Sequence, residues 1–426
     1  MAESTKTPTT ETPLLTHQQS RESTEEFTDT QLSKTIKHLQ TFLYITGFHQ
    51  SSPLSISLSW IGFIIVGVIL PALIIEISSC SRCSKYLVST FEYYILVFQG
   101  VLAAVSLLCI SHIVRRHGLR NFLFVDRQHG RVTKFHQQYT AKIQSFFRLL
   151  ILCTGPCFIL KIILEVVRNV YMYSTWWKSI GIMLASVISW TYLTTVSLSA
   201  SLLFNLVCNL QIIHFDDYEK LLESDSDVSE CLKEHMRLKH YLCKISHRFR
   251  IYLLLEFLIV TASQLFILFQ TTGDHGILDV LNGGNFAVIS IAQLVGIVLS
   301  LHAAAKFSHR AQGIASVASR WHAIVTCSDI ETSQSGVLNS SGNLDSLYLN
   351  FSESDMESSD PVILPTNTQM PSYHKRQSLV MYLQSNLGGV TIFGWTIDRV
   401  LINTVFFVEL SLVSFVLGKT LIYTAT

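Results

Sequence analysis

The hydrophobic positions of this chain are grouped into long runs, and most charged positions fall between those runs. Between Lys178 and Asp216, for example, there is no Asp, Glu, Lys or Arg. A helix needs roughly 20 apolar residues to cross a bilayer, because every backbone N–H and C=O must be paired within the segment. The pattern predicts an all-α, polytopic membrane protein with seven transmembrane helices: Leu54–Ile77, Tyr93–Val114, Leu149–Tyr171, Ile180–Leu210, Ile251–Gln270, Gly284–Ala305 and Leu401–Thr424.

The composition agrees with a membrane protein. Hydrophobic residues make up 49% of the 426 residues and charged residues only 14%, whereas a soluble domain usually carries about 25% charged residues. The net charge of +1 gives no electrostatic reason to expect nucleic acid as a partner. We therefore expect the lipid bilayer to be the main partner of this chain.

The basic residues of the loops predict an orientation. Eight Lys or Arg lie in Arg115–Arg148 and seven in Lys220–Arg250, whereas the loops on the other side carry Arg82, Lys85 and Lys178. Because basic loops tend to stay in the cytoplasm, we expect a cytoplasmic N-terminus and an external C-terminus. That orientation argues against a G-protein-coupled receptor, whose N-terminus is outside.

The polar segments complete the predicted organisation of the chain. Residues 1–40 are polar and read as a disordered cytoplasmic N-terminus, and residues 41–327 hold the first six membrane helices with their cytoplasmic extensions. Residues 328–372 are rich in Ser and acidic residues and contain no Lys or Arg, so we expect a disordered cytoplasmic loop. Residues 373–426 hold a cytoplasmic helix and the seventh membrane helix.

The cytoplasmic extension Asp217–Arg250 contains a heptad-like seam. Apolar positions recur at alternating spacings of three and four, the pattern of a helix that packs on another helix: Val228, Cys231, His235, Leu238, Leu242, Ile245 and Phe249. The seam fits packing within one subunit, and it also fits a bundle that joins subunits.

Ionisable residues fall inside the predicted membrane helices, and five of them are candidates for a functional role. Each costs roughly 2.5–3.5 kcal/mol at a helix centre, so each should pair or line a wet cavity. They are Lys161, Glu165, Arg168, Glu256 and Glu409. The four-residue spacing of Lys161 and Glu165 allows an ion pair on one helix face. Such charges either fix helix packing or contact a ligand or ion.

The seventh helix carries a mildly polar stripe at the 3.6-residue period. Its members are Asn403, Phe407, Ser411, Ser414 and Gly418, and Glu409 lies nearly opposite them. A symmetric oligomer could turn the stripe inward as a pore lining. Small residues also let helices approach closely, so plain helix packing is the alternative.

Aromatic and acidic residues of the second to fourth helices form a candidate pocket for a small molecule: Tyr93, Tyr94, Glu165, Trp190 and Tyr192. The alternative for the aromatic residues is an interfacial belt. No catalytic, phosphate-binding or metal-binding motif is recognisable, so we expect neither an enzyme nor a bound cofactor or metal.

The stretch FGWTIDRVLINTVFFVELSLVSFVLGKT, residues Phe393–Thr420, resembles the plant gustatory-receptor-like family. The ETPLL sequence at Glu11–Leu15, the pair Trp176 and Trp177 and the long serine-rich loop fit the same family. Its members resemble insect odorant and gustatory receptors. The resemblance implies seven helices with the N-terminus inside and four subunits joined through cytoplasmic helices. It also implies a cation pore lined by the last helix and a ligand pocket in the outer half of the bundle.

These observations lead to a first hypothesis of a homotetrameric, ligand-gated cation channel in a plant membrane. A non-conducting scaffold or signalling protein, acting through the cytoplasmic helices and the serine-rich loop, is the second hypothesis, and a transporter is the third. The expected location is the plasma membrane, with the vacuolar membrane as the alternative.

Overall fold

The computed structural model describes the backbone of residues 14–79, 86–124, 135–172, 176–224, 227–273, 280–337, 372–392, 394–397 and 399–425. The structure confirms a helical chain. The helices are α1 (Leu14–Ile45), α2 (Pro53–Phe63), α3 (Leu70–Ser79), α4 (Tyr86–His117), α5 (Leu119–Phe124), α6 (His136–Met172), α7 (Trp176–Glu223), α8 (Val228–Gly273), α9 (Val280–Val337), α10 (Ser372–Ser385) and α11 (Arg399–Ala425). A π-helical segment, Ile64–Ile69, joins α2 to α3.

Within these described ranges, six helical segments are long and apolar enough to cross a membrane: Pro53–Ile77, Glu92–His117, His136–Val170, Ser179–Glu223, Val228–Phe269 and Gly284–Cys327. A seventh apolar segment, Val400–Val416, is shorter and lies in α11, whose backbone continues to Ala425. The chain is therefore a multi-pass membrane protein. The seventh crossing stays a prediction.

The first membrane segment changes its helical pitch before a proline. Pro71 follows the π-helical segment by two residues and has no N–H to donate to the carbonyl of Gly67, four residues earlier. A π turn is a rare local widening inside an α-helix, and here it directly precedes the missing hydrogen bond. A second proline, Pro156, lies inside α6.

Two segments that the sequence predicted to be disordered are partly helical. α1 begins at Leu14, well before residue 40, and α9 extends from the sixth membrane segment to Val337. The physical reason in α1 is an apolar face: Leu32, Leu39 and Leu43 are buried, so the helix packs instead of remaining solvated. Residues 1–13 and 338–371, where the remainder of both predictions falls, lie outside the described residues.

The packing of α1 also has a specific partner. The ring of Phe42 makes edge-on contacts with the rings of Phe146 and Phe147 on α6, at centroid distances of 5.8 and 5.7 Å. Such edge-to-face pairs are worth about 0.5–1.5 kcal/mol beyond their buried area. A polar N-terminal sequence is thus held on the protein by a short apolar stripe.

The chain divides into two compact units, and α7, α8 and α9 contribute residues to both. The first unit comprises residues 1–214, 240–309 and 389–426, and the segment in α7 is the most buried of the six apolar membrane segments. The first membrane segment and α6 instead expose large apolar side chains such as Leu58, Ile151 and Ile163. Because exposed apolar groups are unfavourable in water, these faces are suited to lipid.

The second unit comprises residues 215–239 and 310–388. Its rings pack together, with His235 contacting Tyr218 on one side and Tyr382 on the other. Of the predicted seam, Cys231, His235 and Leu238 are buried in this unit, and Leu242, Ile245 and Phe249 are buried in the first. These seam residues thus pack against other residues of the same chain. The role of the seam in joining subunits stays a prediction.

A short antiparallel ladder departs from the all-α prediction. Strands β1 (Thr391–Ile392) and β2 (Trp395–Thr396) pair immediately before α11, and Gly394 has a φ of +92° in the turn between them. The hydroxyl of Ser246 on α8 donates to the carbonyl oxygen of Thr391 at 2.7 Å. The ladder therefore ties the start of α11 to α8.

Candidate functional site

A cavity of about 60 Å³ lies among α3, α4, α6, α7 and α9 of the first unit. A volume of this size holds a few water molecules, since one water needs roughly 10–15 Å³ of accessible cavity volume. Its wall combines apolar side chains with several charged and polar ones: Pro71, Ile74, Ile75, Glu92, Ile95, Leu96, Gln99, Lys161, Arg168, Ser186, Ser189, Trp190, Leu193, Asn285 and Ile289.

The first polar group of the wall is built around Lys161. Its Nζ lies 2.7 Å from Glu165 Oε1, with only 5% and 7% of the two side chains exposed. The same Nζ donates to Asn285 Oδ1 at 2.8 Å, and Ser186 Oγ donates to Glu165 Oε1 at 2.8 Å. The network joins α6, α7 and α9, and the i, i+4 spacing of the ion pair is the one that the sequence predicted.

A second ion pair lines the cavity and joins α4 to α6. Arg168 Nη1 lies 3.0 Å from Glu92 Oε1, and its Nη2 donates to Glu92 Oε2 at 3.4 Å. This fork-to-fork contact orients both side chains. Since Lys161, Glu165 and Arg168 share one face of α6, the helix presents three charges that are balanced by their neighbours.

Trp190 supplies a polar atom whose hydrogen bond is missing. Its side chain is 4% exposed, lines the cavity, and its Nε1 has no hydrogen-bond acceptor among the described residues. A buried indole N–H normally finds a partner. A ligand or water in the cavity could supply that acceptor.

The other residues of the predicted pocket lie elsewhere in the first unit. The hydroxyl of Tyr93 lies 3.2 Å from Glu76 Oε2, the ring of Tyr94 packs on Phe266, and that of Tyr192 on Phe63. None of these three tyrosines lines the cavity, whereas Trp190 does, and Glu165 holds two lining side chains.

Several lining residues were not singled out by the sequence, namely Glu92, Gln99 and Asn285. Glu92 and Asn285 lie at the ends of apolar runs, where polar residues normally face the interface, so their position carried no signal. Gln99 lies inside the second span and donates from Nε2 to Thr194 Oγ1 at 3.1 Å. A buried amide in a membrane helix was the one available hint.

α11 has one buried and one exposed face. Val405, Glu409 and Val413 are buried against the rest of the unit. The predicted stripe is exposed at Asn403, Phe407, Ser411 and Ser414, with 63% of the Phe407 side chain accessible, and half-exposed at Gly418. A single chain therefore leaves the polar stripe uncovered.

The two remaining intramembrane acids are both buried and bonded to hydroxyl groups. Glu409 accepts a hydrogen bond from Thr261 Oγ1 on α8 at 2.6 Å, and Glu256 accepts from Ser201 on α7 and Ser300 on α9. Neither makes an ion pair with a described residue that could neutralise its charge.

Within the described part of the chain, no group of three His, Cys, Asp or Glu side chains could hold a metal ion. The lone CxxC pair, Cys80 and Cys83, lies outside the described residues.

Comparison with known proteins identifies a matching family and structures of similar fold. Residues 34–408 match the family described as protein of unknown function, DUF3537. No curated protein matches the chain. The fold is similar to that of the insect olfactory receptor OR5 from Machilis hrabei in complex with eugenol, with a TM-score of 0.54 and 13% identity, over 91% of this chain and 98% of the receptor chain.

A second structure of the same insect receptor gives a TM-score of 0.51 and 13% identity, over 90% of this chain and 97% of the receptor chain. At this identity the likeness concerns the fold, and it extends over nearly the whole of both chains. The chain therefore belongs to the DUF3537 family of proteins of unknown function, and its fold is that of an insect olfactory receptor.

Proposed function

We propose that this protein is a chemoreceptor-like, ligand-gated cation channel, formed by four copies of the chain in a plant plasma or vacuolar membrane, with the N-terminus in the cytoplasm. The observation that carries the proposal is the exposed polar stripe of α11, opposite a buried face. The fold shared with an insect olfactory receptor supports the same conclusion.

The stripe is poorly suited to lipid. The side-chain amide of Asn403 is exposed, and the hydrocarbon region of a bilayer would offer it no hydrogen-bond partner. A 27-residue helix is about 40 Å long, which is enough to cross the hydrocarbon core. Four copies around an axis would turn Asn403, Ser411 and Ser414 toward a shared, hydrated pore.

The cavity is the corresponding candidate for a ligand site. It combines an apolar wall with an unpartnered indole N–H at Trp190. A small molecule with an apolar body and one hydrogen-bond acceptor fits this chemistry. Eugenol, with which the compared insect receptor was solved, has an apolar aromatic body with oxygen acceptors and is a suitable first probe, and the cavity would have to widen to admit it.

A bulky substitution in the stripe tests the pore. The purified protein is reconstituted in liposomes, and cation flux is recorded with and without eugenol. Ser414→Trp should abolish the flux, because the indole fills the axis. Val408→Trp is the matched control: Val408 is also exposed on α11 but lies about 100° around the helix from the stripe, so its flux should persist.

Both variants must still elute at the size of the wild-type assembly. Equal flux through wild type and Ser414→Trp would show that α11 does not line the pore. A monomeric wild-type protein would rule out the proposed channel.

A further inference from the structure

A ring of oxygen atoms surrounds a buried carboxylate where α4, α7, α8 and α9 meet in the first unit. Glu256 is 4% exposed and lies six residues, or about 9 Å, beyond Arg250 along α8. It therefore lies inside the apolar segment. This cluster is separate from the cavity, and nothing in the channel mechanism uses it.

The oxygens of the cluster lie within hydrogen-bond distance of one another. Ser201 Oγ is 2.6 Å from Glu256 Oε1, and Ser300 Oγ is 3.0 Å from Glu256 Oε2. The hydroxyl of Tyr252 lies 3.0 Å from Ser201 Oγ. The two carboxylate oxygens and three hydroxyls thus come from three different helices.

A fourth hydroxyl makes no well-formed hydrogen bond. Ser106 on α4 is completely buried, its Oγ lies beside the Tyr252 hydroxyl, and it makes no hydrogen bond of sound geometry to a described residue. Gly296 lets the backbone of α9 approach the cluster closely, since a Cβ there would lie only 3.3 Å from Ser201 Oγ and 3.5 Å from Glu256 Oε1. A buried hydroxyl without a well-formed hydrogen bond, beside a carboxylate that has no cationic partner among the described residues, indicates a missing ligand.

The charge of the site indicates which kind of ligand it binds. The described ion pairs leave Glu256 without a Lys or Arg partner, and an uncompensated carboxylate inside a membrane costs several kcal/mol. One carboxylate with only neutral oxygens is matched by a single positive charge. Hydroxyl and carboxylate oxygens are hard ligands, which suit alkali and alkaline-earth cations instead of transition metals.

We propose that Glu256, Ser201, Ser300 and Tyr252 bind a dehydrated sodium ion, with Ser106 completing the shell. Binding neutralises the carboxylate and ties four helices together. Because a ligand that binds only the folded state stabilises it, sodium raises the resistance of the protein to unfolding. The proposal is independent of whether the protein conducts ions.

The test is the melting temperature of the detergent-solubilised full chain at pH 7, in sodium chloride and in choline chloride of equal ionic strength. We expect a saturable sodium-dependent rise in wild type that is absent in Glu256→Gln, which keeps the side-chain shape. Glu409→Gln, which changes another buried acid that is bonded to a hydroxyl, is the matched control and should retain the rise.

Ser300→Ala provides a second test if Glu256→Gln does not fold. Loss of one ligand oxygen should raise the half-saturating sodium concentration about tenfold. No sodium-dependent rise in wild type would overturn the proposal, as would an equal rise in Glu256→Gln or an unchanged half-saturating concentration in Ser300→Ala. Stabilisation by acid alone, without sodium, would show that a proton neutralises Glu256 instead.

Discussion

Thr261 on α8 donates a hydrogen bond to Glu409 on α11, with 2.6 Å between Oγ1 and Oε1. Glu409 is 1% exposed, and its second carboxylate oxygen, Oε2, has no hydrogen-bond partner among the described residues. This bond holds the last helix with its acidic residue toward the bundle and its polar stripe away from it.

Removing the donor should loosen α11. Thr261→Val keeps the side-chain shape but leaves the buried carboxylate without its hydroxyl, and we expect a loss of about 1–3 kcal/mol in the free energy of unfolding. Thr404→Val is the matched control, because the Thr404 hydroxyl is exposed and bonds only to its own helix at Val400. That variant should change stability by less than about 0.5 kcal/mol. Equal effects in thermal unfolding would contradict this role of Thr261.

The buried pair Lys161–Glu165 should show strong coupling. Lys161→Met removes the ion-pair partner of the Glu165 carboxylate, which keeps the hydrogen bond from Ser186, and breaking a buried pair in this way costs about 3–5 kcal/mol. The double variant Lys161→Met, Glu165→Met removes both charges and should recover much of that loss. A double-mutant cycle on the melting transition measures the coupling. Simple additivity of the two single losses would mean that the pair is not energetically linked.

Trp190→Phe separates the indole N–H from the aromatic ring. Because Nε1 has no acceptor among the described residues, the variant loses no hydrogen bond within the chain, and its stability should fall only by the packing lost with the smaller ring, about 1–2 kcal/mol. Binding of eugenol, measured by calorimetry, should weaken about tenfold if the N–H donates to it. Trp60→Phe is the control, since Trp60 packs on Phe63 and does not line the cavity. Equal affinity in the two variants would exclude Trp190 as a donor to this ligand.

The ion pairs of the second unit should contribute little. Arg310 pairs with Asp216 and Glu219, but 41% of its side chain is exposed, so solvent screens both contacts. Arg310→Ala should cost no more than about 1 kcal/mol, and the loss should shrink at high salt. Arg320→Ala should cost less, because that side chain is 65% exposed in its pair with Glu223. A large, salt-independent loss in Arg310→Ala would indicate a structural role beyond the ion pairs.

The orientation can be tested with natural glycosylation sequons at Asn339 and Asn350. If the serine-rich loop is cytoplasmic, neither should carry a sugar after expression in plant cells, since the modification occurs in the secretory lumen. The same sequon in a linker appended after Thr426, on the predicted outer side, should be glycosylated. A sugar on Asn339 or Asn350, detected by mass spectrometry, would reverse the predicted topology.

The sequence by itself determined the helical membrane architecture and the charges that lie inside it. The charge-free run after Lys178 can only be stable in a bilayer as a helix, because each backbone polar group must be paired within the segment. Local spacing also sufficed for the pair Lys161 and Glu165, and for the position of Glu409 opposite the polar stripe, since both follow from the helical period.

Only the tertiary structure decided which distant residues meet. Arg168 and Glu92 are 76 residues apart, and Lys161 and Asn285 are 124 apart, so no helical period relates them. The cavity wall and the oxygens around Glu256 likewise depend on how the helices are rotated and stacked, which is set by side-chain packing across the whole unit. Periodicity along one helix identifies its faces, but the neighbour of each face is chosen by the rest of the chain.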